Sequence, residues 1–86
     1  MKRIIETEEA SGLVGLLGEK VLLLCGNYFY AGVLSGVNDD HVVLSNALLV
    51  YETGAWDAPT YADAQALPGG EWCVKIDAIE SYGKGK

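Results

Sequence analysis

The chain has 86 residues, 50% of them hydrophobic and 21% charged, with twelve acidic residues against six basic ones for a formal net charge of −6. A chain this short hides only about 60% of its extended surface, which bounds it to one domain and makes help from neighbouring subunits a physical expectation. Nucleic-acid binding driven by the phosphate backbone needs Lys and Arg to displace condensed counterions, so this balance excludes a broad electrostatic footprint and leaves room only for a local contact.

Met1-Lys2-Arg3-Ile4-Ile5 gives way to Glu6, Glu8 and Glu9 instead of the apolar core of a signal peptide. No later run approaches the roughly 18–20 apolar residues that span a bilayer. A soluble, cytoplasmic protein with no membrane partner is expected. Thr7 can cap a helix with Glu8 and Glu9 in its first turn, and Gly18 is a natural left-handed stop. Ala10, Leu13, Val14, Leu16 and Leu17 approximate one apolar face, which predicts a short helix over residues 8–17, weakened by Gly12 and Gly15 by about 1 kcal/mol each.

Residues 21–25 form a continuous apolar run closed by Gly26-Asn27, a strand followed by a turn. Residues 29–37 read as a second strand, with Gly32 and Gly36 marking bends, and residues 41–52 as a long third strand after the turn Asn38-Asp39-Asp40. The segment 53–70 holds both prolines and reads as a long loop, with Trp56, Tyr61 and Leu67 supplying apolar surface that must pack somewhere. Residues 72–76 and 78–82 read as two further strands around a tight corner at Asp77, and 83–86 as a polar tail. The fold class is mainly β: a bent five-stranded antiparallel β-barrel with a short N-terminal α-helix at one open end.

This order, and above all Gly32-Val33-Leu34-Ser35-Gly36 followed by Val42-Val43-Leu44-Ser45-Asn46-Ala47, resembles the Sm-like protein family over about residues 7–82. In that family residues 20–52 would be the first motif, 53–70 a variable loop and 71–82 the second motif. The resemblance implies a homo-oligomeric ring of about five to seven subunits, closed by pairing an edge strand of each subunit with its neighbour. It also implies single-stranded RNA as a partner. The family's stacking ring falls on His41 and its second-motif Arg on Lys75, while Asn38 stands at the opposite end of the turn from the family's base-reading Asn. Lys75 lacks the planar fork of Arg, Ile76 stands where the family has Gly, and matching bacterial relatives instead puts Asp77 where they have His. These departures imply weakened or altered RNA binding.

Each candidate has a bland alternative. His41 can be a solvated strand-start residue. Alternation along Tyr28-Phe29-Tyr30 sends Phe29 into the core and both tyrosines to the other face, where they pack at a rim or interface, or stack single-stranded bases. Cys25 and Cys73 read as small buried hydrophobes in a reducing compartment, with a disulfide left open because sequence does not position their β-carbons. One histidine, no nucleophile with a base at suggestive spacing and no Gly-rich phosphate loop leave a reaction nothing to use, so no enzyme, cofactor or metal is expected. Two functions remain: an RNA-associated ring using His41, Lys75 and Asn38, with Tyr28 or Tyr30 as a second surface, and a scaffold ring that binds another protein through Trp56 and Tyr61 of the 53–70 loop.

Overall fold

A computed structural model describes residues 12–86. The first part of the expected helix, residues 8–11, lies outside them. The remainder is not an α-helix but a single 3-10 turn, Leu13–Leu16, entered from Gly12 at φ 69° with no side-chain cap. Two glycines in so short a segment leave too little to offset the cost of nucleating α-helix. The three-residue period of the turn puts Leu13 and Leu16 on one side, and both pack against the core while Val14 and Leu17 face out.

Six strands follow: β1 Lys20–Cys25, β2 Phe29–Val37, β3 His41–Glu52, β4 Asp63–Ala66, β5 Glu71–Lys75 and β6 Ile79–Lys84. They form one antiparallel sheet in the order β4-β3-β2-β1-β6, with β5 also on β3. Among the described residues the expected count of five is therefore corrected to six. The extra strand, β4, lies inside the segment read as a loop, because its residues Asp63-Ala-Gln-Ala are all exposed and carry no apolar alternation. Its ladder to Leu48, Leu49, Val50 and Glu52 of β3 holds it in place instead. The sheet does not close: β5 and β6 are joined by a 3-10 turn, Ile76–Ala78, and each pairs along one edge only.

β3 serves two strands on one edge because it is bent in the middle. Its first half, His41 to Ser45, pairs with β5, and its second half pairs with β4. At the bend Ala31 pairs with Leu48 and Val33 with Ser45, so that Gly32 alone faces the two residues Asn46 and Ala47, a β-bulge that sharpens the local twist. Asn46 takes the left-handed conformation at φ 53°, one that Asn tolerates better than most residues. The link from β4 to β5 straddles the bend, with Leu67 N–H donating to the Ala47 carbonyl at 2.9 Å and Asn46 N–H donating to the Gly70 carbonyl at 3.0 Å.

Two apolar clusters fill the two sides of the bent sheet. The larger joins Val21, Leu23 and Cys25 of β1 to Leu34, Val42, Leu44 and Val74. The smaller sets Leu22 of β1 against Ala31 and Val50, with Phe29, Leu48 and Tyr61 around them. β1 thus reads as an unbroken apolar run because neighbouring residues supply opposite sides. Tyr61 is the side chain by which the 53–70 segment covers the second side. Cys25 is buried as expected, whereas Cys73 is exposed on β5; both are free thiols.

Candidate functional site

The turn after β2 is tight, with Asn38 N–H donating to the His41 carbonyl at 2.8 Å, and this brings its two ends together. Asn38 is therefore not remote from His41, as its place in the sequence suggested. Its amide Nδ2 donates to His41 Nε2 at 3.1 Å, and His41 Nδ1 donates to Asp40 Oδ1 at 2.7 Å. A carboxylate can only accept, so the neutral imidazole carries its proton on Nδ1 and turns the Nε2 lone pair to the amide. The hydrogen bond from His41 is the main cause that holds the Asp40 carboxyl below its usual range; desolvation opposes it, and the charge His41 carries when protonated, the residue's own backbone and Lys75 add smaller downward contributions.

Lys75 joins this corner through the ladder, since it is the register partner of His41 across β3 and β5. Ile76 N–H, one residue on, donates to the Asp40 carbonyl at 2.9 Å and pins the end of β5 to the turn. Asn38, His41 and Lys75 are thus gathered at one exposed corner. It offers an edge of imidazole, an amide and an ammonium, next to the carboxylates of Asp39 and Asp40.

Lys75 also lines a groove of about 510 Å³ that runs along the open seam between β5 and β6, together with Tyr28, Tyr30, Trp72, Asp77 and Glu80. The Tyr28 and Tyr30 rings lie 6.5 Å apart at 59°, a tilted pair and not a flat platform. Their roles differ. Tyr30 packs against the larger core cluster, and burial raises its phenol above the usual value, with Cys25 and Tyr28 adding to the shift. Tyr28 is 52% exposed and is the ring with an open face. Cys25 lines the groove as well, its thiol raised chiefly by burial and then by Glu80.

Trp72 is the groove residue that sequence reasoning treated only as part of a strand. The available signal was the two-residue period of β5, which places Trp72 on the same side as buried Val74. On the 53–70 segment the two aromatics part company: Trp56 is 69% exposed, while Tyr61 is half-buried in the smaller cluster and is no free docking group. Among the described residues no cluster of three or more His, Cys, Asp or Glu side chains could hold a metal ion, and no helix is long and apolar enough to cross a membrane. In comparisons with known proteins, no family model matches the chain and no curated protein matches it.

Proposed function

We propose that the protein is a non-catalytic, Sm-like module that assembles through its open sheet edges and takes single-stranded RNA locally at the Asn38, His41 and Lys75 corner. The observation that carries this reading is the convergence of those three side chains, with His41 in register with Lys75 and 3.1 Å from the Asn38 amide. An aromatic edge and an amide are groups that recognise an unstacked base, and a cation beside them suits its phosphate. The net charge of −6 keeps the contact local, at the Lys75 ammonium, so affinity depends on repetition around an assembly.

Self-assembly is supported by the seam. β5 and β6 each leave one edge without a partner strand, and an open edge is a template for another chain. Head-to-tail pairing of β5 on one subunit with β6 on the next removes both edges at once and closes as a ring. Native mass spectrometry tests this with a discrete oligomer as the expected result. A strictly monomeric species at high concentration counts against it.

Titration of labelled oligo-U and oligo-A at two salt concentrations tests the RNA reading. The expected outcome is micromolar binding that weakens with salt and is lost in the His41→Ala, Lys75→Ala double variant. No binding even at low salt removes this reading. A second reading, a protein-binding scaffold, is favoured by one observation, the 69% exposure of Trp56 on the segment between β3 and β4. Its test is Trp56→Ala, because deleting the whole segment would also remove β4 and Tyr61.

A further inference from the structure

The Lys86 ammonium sits in a cage of backbone carbonyls. Its Nζ donates to the Thr53 carbonyl at 2.8 Å, the Ala55 carbonyl at 2.8 Å and the Thr60 carbonyl at 3.3 Å, and lies 5.1 Å from the centre of the Tyr61 ring. A primary ammonium has three N–H donors and no acceptor, so three carbonyls and an aromatic face satisfy it on every side but that of its own stem. The cage is also braced from within. Ala62 N–H donates to the Thr53 carbonyl at 3.4 Å and Ala58 N–H to the Ala55 carbonyl at 3.1 Å, so two of the three oxygens already hold the segment's own turns.

The approach of Lys86 to the cage is fixed separately. Gly85 N–H donates to the Lys20 carbonyl at 2.8 Å, and Lys86 N–H donates to the Tyr61 hydroxyl at 3.1 Å. A β-carbon at position 85 would stand 2.8 Å from the Tyr61 hydroxyl oxygen and 2.8 Å from the Val21 carbonyl oxygen, a distance only glycine allows. Lys86 is thereby delivered to the cage by a backbone that lies flat against β1.

We propose that residues 53–61 form a binding site for a primary ammonium group, that Lys86 fills it in cis, and that this clasp holds the segment closed over the second side of the sheet. Tyr61 is common to the cage and to the apolar cluster of Leu22, Ala31 and Val50. Loss of the ammonium therefore frees the segment and bares that cluster together. Acetylation of Lys86 would do this chemically, since it removes the charge and two of the three donors.

The first test needs no variant. In the wild-type protein the side-chain ammonium of Lys86 is expected to give a resolved, slowly exchanging ¹⁵N signal with couplings to the Thr53, Ala55 and Thr60 carbonyl carbons. A Lys86 signal that exchanges like those of the other lysines overturns the proposal. In Lys86→Ala, exchange of the Ala58 and Ala62 amides should speed up by at least about tenfold, the scale of one charge-assisted hydrogen bond, with the amides of Leu23 and Leu44 in the larger cluster unchanged. Propylammonium, which replaces the missing atoms, should restore protection where tetramethylammonium and potassium do not. Unchanged exchange in the variant, or equal rescue by potassium, rejects an ammonium site.

Discussion

Gly32 lies so close to Ser45 that a β-carbon added to it would stand 2.9 Å from the Ser45 carbonyl oxygen and 3.2 Å from the Ala47 α-carbon. Both neighbours are backbone atoms of β3 and cannot rotate away. Gly32→Ala should therefore destabilise the fold by about 1–3 kcal/mol, the usual cost of forcing extra volume into a packed site. Urea unfolding measures it. A Gly36→Ala change is the control, because its β-carbon would meet only the Val43 side chain at 3.5 Å.

Leu34 and Leu44 are fully buried partners in the register of β2 and β3. Truncating either to Ala leaves a cavity at the centre of the larger cluster, and a loss of about 2–5 kcal/mol is expected. Leu48, half-buried beside the smaller cluster, should cost less on truncation. A larger loss at Leu48 than at Leu34 would show that the second side, not the first, carries the fold.

Asp40 provides a pH test of the corner. Its folded pKa is depressed, so its contribution to stability is present above the unfolded value and is lost as pH falls through the folded one. The window lies in acid, at and below the ordinary carboxylate range. The Asp40 carboxyl carbon should titrate by NMR below that range in the wild type, and closer to it in His41→Ala, which removes the main cause. No upward movement in His41→Ala would mean that the 2.7 Å contact is not populated in solution.

The two tyrosines of the seam should separate by phenotype. Under the RNA reading, Tyr28→Leu weakens oligonucleotide binding by about five- to one-hundred-fold with little change in melting temperature, the range for loss of one stacked base. Tyr30→Leu should instead lower the melting temperature, since that ring packs on the larger cluster. Binding losses from Tyr30→Leu alone would reverse the assignment.

Much of this architecture was legible in the chain. The second and third strands run over the expected residues because Gly26-Asn27 and Asn38-Asp39-Asp40 punctuate strongly apolar runs. Gly32 announced the bend, although not that Asn46 would share it. β4 was hidden because no side chain of Asp63–Ala66 is buried, so nothing in its composition distinguishes it from a loop. The helix was over-read from an apolar period that a 3-10 turn satisfies equally well through Leu13 and Leu16. At the site, His41 and Lys75 were brought together only by the Sm-like resemblance, and the ladder that pairs them was not read from the chain. Nor was the contact of Asn38 with His41, since linear spacing says nothing about how tightly a turn folds back. The anchoring of Lys86 by three carbonyls was equally invisible, because main-chain oxygens leave no trace in composition.

Asn46 is a supernumerary residue in β3. Val42, Leu44 and Ala47 feed one cluster while Leu48 and Val50 feed the other, a sequence that breaks simple parity only at Asn46. Excising that single residue would restore a regular pleat without moving any remaining side chain of β3 to the opposite side, yet it would straighten the strand that β4 and β5 share. Curvature and sidedness are thus encoded by different residues here, and one can be edited without rewriting the other.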